Sequence, residues 1–364
     1  MRPDTVQEAS TLLRELGVAR RPVRPVGGGT KPWGVQDGEP LETGALNRIL
    51  EHNVGDFTAV LEAGVPFAEA QALFGEQGQA IAWDPPDRGG ATIGGIVATA
   101  DSGPLRHRYG GVRDLVVGTS VVLSDGTIAK SGGKVIKNVA GYDLAKLFAG
   151  SFGTLGLIAT ISVRLHPNPA KTATAHGSSD DPDALQRAVS ALSGLPLEAD
   201  CLDVSWEDGS GRVLVRYGGN TAAQRARETA ARMELEAVEF TEDDGGLWDA
   251  QRARQRRPDG AVLKVSGRPT DLANVIRAAG GASVASRAAL GLSWLAFAPG
   301  DDLASRVATA RQALSPRACT VLDGGGRVEE IWPDAGSGQV VMDRLKSRFD
   351  PARIFRPGAF VGGI

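Results

Sequence analysis

Arg20-Arg21-Pro22-Val23-Arg24-Pro25-Val26-Gly27-Gly28-Gly29-Thr30-Lys31 is the stretch on which the fold turns. A short extended run feeds directly into three glycines. Backbone without side chains turns sharply and presents successive N–H groups to an anion. A diphosphate suits such a loop, because it needs several donors and no side-chain bulk. The loop is not a Walker A motif, since the spacing fails and Lys31 does not follow a glycine. Nor is it GxGxxG, and no helix clearly begins behind it, which disfavours a Rossmann site. Taken alone, it is equally well a plain Gly-rich turn.

Working outward, Thr5 and Glu8 have capping-box spacing, and Val6, Ala9, Leu12, Leu13 and Leu16 form one apolar helix face that Gly17 ends. Residues 45–50 and 57–62 read as strands, and Pro66 opens a helix with Phe67, Ala70, Leu73 and Phe74 inside. Asp84-Pro85-Pro86-Asp87 stiffens the approach to a second glycine segment, Ala91-Thr92-Ile93-Gly94-Gly95. Ser102-Gly103 and Tyr109-Gly110-Gly111 follow. Residues 112–123 read as one apolar strand, and Asp125-Gly126 signals a hairpin. Residues 143–149 look helical, with Asp143 placed as a cap, and 154–165 read as a strand. Each glycine segment has a bland reading as a strand-linking loop. Their recurrence before residue 160 points instead to a ligand cradle.

His166-Pro167-Asn168-Pro169 breaks structure, and the rhythm then changes. Helical segments near 183–193, 222–234, 269–280 and 301–314 alternate with strands near 200–206, 212–217, 261–266, 292–298 and 319–323. The expected class is α+β: residues 1–170 as one domain, an α+β cap with an antiparallel sheet and helices on one face over 171–334, and a segment 335–364 returning to the first domain. A last helix is expected near 335–348.

The formal net charge of −3 gives no global basic field for nucleic acid. Two cysteines, Cys201 and Cys319, exclude a disulfide framework and a cysteine-ligated iron–sulfur cluster built by this chain alone. Each reads as a small core residue. No signal peptide or bilayer-length apolar run is evident, so the expected compartment is the cytoplasm. The histidines, His52, His107, His166 and His176, are scattered, and no metal cluster or nucleophile elbow is seen.

RPVGGGTK, ATIGG, RYGGVRD leading to VVLSDG, and KNVAGYDLAKLFAGSFGTLGLI stand in an order that resembles the PCMH-type FAD-binding domain of the vanillyl-alcohol-oxidase family. The tail FDPARIFRPG resembles that family's closing segment. Residues 20–168 and the last twenty carry the likeness; the cap matches loosely. Within the family, SGPLRHRYG and KNVAGYDL resemble the FAD-binding subunits of bacterial glycolate oxidase.

The resemblance implies a two-subdomain FAD domain and roles for particular residues. Gly27, Gly28, Gly29, Thr30 and Lys31 would form the pyrophosphate loop. Thr92, Gly94 and Gly95 would complete the cradle, with Pro86 as a further cofactor-binding position. Ser102, Gly103, Arg106, Tyr109 and Gly110 would lie beside the isoalloxazine. Gly153, Thr154, Gly156 and Ile158 would hold the ribose and adenine side. Arg356 would return near the flavin, where a cation favours its anionic reduced form; a surface arginine is the alternative. His107 would be the one candidate base, against a structural or solvent-facing histidine.

The departures also count. Phe152 stands where a glutamate is common, and the pyrophosphate loop carries no histidine, so FAD is expected to be non-covalent. The histidine- and acid-rich cap segment of the hydroxy-acid oxidising relatives is missing. The expected activity is flavin-mediated oxidation of a 2-hydroxy acid, glycolate to glyoxylate. The expected partners are a second FAD-containing subunit and an iron–sulfur subunit, through which the chain would lie peripheral to the inner face of a membrane. A self-contained oxidoreductase acting on another small hydroxy acid or alcohol, and a subunit with structural FAD, remain open. An NADPH-dependent peptidoglycan-precursor reductase of this fold ranks last, for want of its serine and glutamate constellation.

Overall fold

The computed structural model describes residues 1–86, 89–133, 144–324 and 326–364. Asp87, most of KNVAGYDL and the expected cap Asp143 lie outside the described residues. The chain forms two compact units: Met1–Ser102, Gly110–Asn168 and Asp334–Ile364 make the first, and Gly103–Tyr109 with Pro169–Pro333 make the second.

In the first unit, helix Val6–Val18 is capped by Thr5, whose hydroxyl accepts the Glu8 N–H at 3.1 Å. Its Ala9, Leu13 and Leu16 pack on Val23, Leu41, Val122, Leu157, Ile354 and Phe355. Strand Val23–Val26 pairs in parallel with Glu39–Glu42. The C-terminal segment joins beside it: Val23 N–H donates to Ile354 O at 2.7 Å, and Arg356 N–H donates to Val23 O at 2.9 Å. A five-stranded antiparallel sheet runs in the order Ile49–Asn53, Thr58–Glu62, Leu157–Arg164, Val116–Val122, Ile128–Gly132. Asp125-Gly126 makes the expected hairpin, with Gly126 at φ +81°.

Two strand readings shift. The strand expected over 45–50 starts only at Ile49, because the Thr43 and Leu46 carbonyls are taken up by turn hydrogen bonds from Leu46 and Gly64. The strand expected over 112–123 opens as a helical turn, Val112–Leu115. There the Asp114 carboxylate accepts the Gly111 N–H at 2.8 Å, a local cap that an apolar run does not betray.

The second unit is an eight-stranded antiparallel sheet in the order Glu236–Thr241, Thr172–Ser179, Ser210–Gly218, Cys201–Glu207, Ser283–Arg287, Leu292–Phe297, Ala261–Ser266, Ala318–Val321. Helices Pro182–Ser193, Ala222–Ala230, Leu272–Ala278 and Leu303–Ala313 bury Leu185, Ala226, Ile276 and Val307 against Val204, Val213, Leu263 and Leu295 on one face. Strands 172–179, 236–241 and 283–287 escaped the sequence reading. TATAHGSS is too small and polar to announce a strand, yet it pairs on both edges.

Helix Gly245–Ala253 was also missed, and it covers the opposite face. Trp248 packs there on Cys201 and Leu214, and Gln251 donates to Asp203 at 2.9 Å. The expectation of helices on one face only is therefore corrected. So is the assignment of residues 103–109 to the first domain. Leu105 packs against the cluster of Cys201, Leu214 and Trp248, while Arg108 donates to Glu198 O at 2.9 Å and lies 3.3 Å from Asp200.

Candidate functional site

The glycine segments of the first unit converge on one cavity, with about 900 Å³ of unfilled space that is partly open to solvent. The enclosed part of it is about 150 Å³, and the rest opens to solvent. Gly27, Gly28, Gly29, Thr30 and Lys31 line it from one side, and Thr92, Gly94 and Gly95 from another. Gly153, Gly156, Ile158 and Arg356 line it as well. Residues 24–26, Gln36, Thr43, Thr99 and Phe152 add to the wall.

The glycines serve two purposes. A Cβ on Gly27 would overlap the Thr92 hydroxyl, and one on Gly28 the Gly90 carbonyl oxygen. These two residues let the loops meet backbone to backbone. Gly29 differs: a Cβ there would meet nothing, but its φ of +68° disfavours a side chain. The Thr92 hydroxyl accepts the Gly95 N–H at 3.3 Å and fixes the start of helix Ile93–Thr99. Gly94 brings that helix against Ala63, whose Cβ would lie 2.6 Å from an added methyl.

Arg356 enters from the C-terminal segment with only 7% of its surface exposed. Its guanidinium donates to Phe152 O at 2.8 Å, Trp33 O at 2.8 Å and Val35 O at 3.0 Å. Desolvation, with repulsion from Arg24, lowers its pKa to about 10. The buried Nε atoms of both Arg24 and Arg356 have no hydrogen-bond partner. Lys31 differs, lying 3.4 Å from the buried Asp101 carboxylate. The turn before Arg356 is clamped by Lys346, which donates to Asp350, Thr154 O and Phe355 O at 2.7, 2.8 and 2.7 Å. Burial pushes the Lys346 ammonium pKa down, with Asp350 opposing.

Other predicted residues stand elsewhere. Thr154 is not in the wall: its hydroxyl donates to Ser151 O at 2.7 Å and its carbonyl serves Lys346. Pro86, Ser102 and Gly110 belong to the first unit but do not line the cavity; Gly110, at φ +81°, packs on Asp114. Gly103, Arg106, His107 and Tyr109 fold with the second unit, because Leu105 and Arg108 are anchored there. His107 lines a groove with Leu192, Leu195, Leu197, Leu202 and Leu290. Burial, then the Arg108 charge, lowers its pKa and so disfavours its protonated form.

Sequence reasoning passed over several contributors. Arg24 carries no role in the sequence reading. Phe152 was noted only as a departure, yet at φ +55° it lines the cavity and its ring lies 6.3 Å from Trp33 and 5.4 Å from Phe360. Asp101 and Lys346 had no local signal, since their partners are distant in sequence.

A cavity floored by bare backbone, with the buried Arg356 and the half-buried Arg24 at its wall, fits an anionic dinucleotide cofactor. Together with the antiparallel α+β frame, it defines the class of PCMH-type FAD-binding folds. Residues 1–132 match the FAD binding domain family, so this part of the chain is an FAD-binding domain and FAD is its cofactor. The chain is 35% identical to glycolate oxidase subunit GlcD of Bacillus subtilis, over 55% of this chain and 44% of that protein. It is 32% identical to glycolate oxidase subunit GlcE of Escherichia coli, over 48% of this chain and 52% of that protein. It is also 32% identical to a mitochondrial D-lactate dehydrogenase (cytochrome) of Arabidopsis thaliana, over 56% of this chain and 33% of that protein. The chain thus spans between a third and about half the length of these relatives. An alkyldihydroxyacetonephosphate synthase structure superposes with a TM-score of 0.72 at 15% identity, covering 98% of this chain and 76% of that one, which shows the shared fold.

Proposed function

We propose that the chain is the FAD-binding subunit of a complex that oxidises a small 2-hydroxy acid, glycolate to glyoxylate in the leading case. The observation that carries this is its likeness to both subunits GlcD and GlcE of glycolate oxidases, joined to a cavity suited to FAD. The substrate's α-carbon gives up a hydride and its hydroxyl a proton, so two electrons leave; bound FAD supplies the hydride acceptor.

The loop Gly27–Thr30 is the candidate holder of the diphosphate, with Thr92, Gly94 and Gly95 behind it and Gly153, Gly156 and Ile158 on the adenine side. The absence of histidine from that loop favours a non-covalent flavin. His107, in the second unit, is the candidate proton acceptor, but its lowered pKa makes it a weak base, and its groove sets five leucines beside Arg108, Ser193 and Glu198. This favours oxidation on a partner flavoprotein, with the present FAD relaying electrons to an iron–sulfur subunit. Among the described residues no helix is long and apolar enough to cross a membrane; attachment to a membrane face through partners belongs to the same proposal.

Stopped-flow mixing of the isolated chain with glycolate tests the partner scheme. Slow or absent bleaching of a yellow, acid-releasable flavin is expected, with turnover restored by the partner subunits. Rapid bleaching by glycolate alone defeats it.

A further inference from the structure

We propose that Arg24 and Arg356 form a two-cation clamp on the diphosphate of FAD; this rests on the FAD-binding reading above and names the partner of its anion. Among the described residues three cations line the cavity: Arg24, Lys31 and Arg356. Lys31 is matched by Asp101. Neither arginine has a carboxylate partner among the described residues, and each keeps a buried Nε without a hydrogen-bond acceptor. Arg356 is held instead by three backbone carbonyls, Phe152, Trp33 and Val35, which fix its guanidinium without neutralising it.

The two arginines reach one cavity from segments far apart in the sequence. Arg356 N–H donates to Val23 O, so Arg356 is hydrogen-bonded to the residue that precedes Arg24. Two guanidinium groups at one cavity repel one another, and a group with two negative charges relieves that repulsion. Guanidinium forks also match phosphate oxygens geometrically, where a lysine offers only a point charge. Gly27, Gly28, Gly29 and Gly153 line the same cavity as the two arginines, and the space beside Gly29 is open. Glycines supply N–H donors and the arginines supply the countercharge, so neither set duplicates the other.

The test uses the full-length chain as wild type and as Arg24→Gln, Arg356→Gln and Arg356→Lys. FAD dissociation is followed by flavin fluorescence on dilution, ADP is the competing probe, and the midpoint potential of the bound flavin is measured in parallel. Loss of a charge-assisted contact predicts that each glutamine variant weakens FAD by about tenfold or more. ADP should weaken in step, Arg356→Lys should recover part of the loss, and the potential should stay unchanged. If Arg356→Gln does not fold, Arg24→Gln carries the test by itself, since Arg24 is half-buried and outside the carbonyl cluster. FAD and ADP affinities within about twofold of wild type in Arg24→Gln and a folded Arg356→Gln overturn the clamp. Unchanged affinity with a lowered potential also overturns it, placing the cations at the isoalloxazine while the FAD reading stands. A wild-type chain that takes up no FAD fails the earlier reading instead, and loss of ADP binding in Arg24→Gln would then still uphold a diphosphate clamp.

Discussion

Lys346→Met isolates the contact on which the C-terminal segment depends. The Lys346 side chain is 1% exposed and its Asp350 partner 0%. Methionine keeps most of the volume and removes the charge and three hydrogen bonds. Removing one partner of a buried pair costs about 3–5 kcal/mol, because the other charge is left uncompensated. Asp350 would still accept N–H bonds from Ile354 at 3.2 Å and Phe355 at 2.9 Å. The expected loss therefore lies near the lower end, about 3 kcal/mol. For a unit of this size that corresponds to a fall in Tm of about 6–12 °C. Urea unfolding and thermal melting followed by circular dichroism read it directly. Lys346→Met/Asp350→Asn should regain part of the loss, since no buried charge remains. FAD content should fall with Lys346→Met, because Arg356 follows the clamped Phe355 carbonyl. A loss below about 1 kcal/mol, with normal flavin content, would refute the view that this pair holds the segment in place.

Gly28→Val should lose FAD and also lower Tm by a few degrees, since its side chain would strike the Gly90 carbonyl; normal flavin content in a folded variant would mark the loop as an ordinary turn. The Asp271 carboxyl is held at about 2, chiefly by its hydrogen bond from Arg317. A carboxylate with a depressed folded pKa stabilises above its unfolded value, near 4, and loses that contribution as pH falls through about 2. The stability gap between wild type and Arg317→Gln should thus be constant above about pH 5 and close on acidification; a gap independent of pH would contradict the pairing. His107→Ala should leave flavin content unchanged, because His107 lines a groove of the second unit and not the glycine-lined cavity; a colourless variant would speak against that placement.

Local order in the sequence already determined much of this protein. Thr5 and Glu8 cap the start of a helix whose apolar face is spaced for burial, and Asp125-Gly126 turns a hairpin, because both depend on neighbours along the chain. The recurrence of glycine at 27–29, 94–95, 153 and 156 announced a backbone-lined cradle, since glycine is the residue that close backbone approach requires. Tertiary structure decided what depends on distant partners. It assigned residues 103–109 to the second unit through Leu105 and Arg108, and it made a strand of TATAHGSS by pairing it on both edges. It committed the Thr154 carbonyl to Lys346, a partner distant in the sequence. It also set Arg356 beside Arg24 through a hydrogen bond to Val23, an encounter between the two ends of the chain that no local pattern encodes. Charge balance in a buried site is a property of three-dimensional neighbours, so only the folded chain reveals which of its cations still lack an anion.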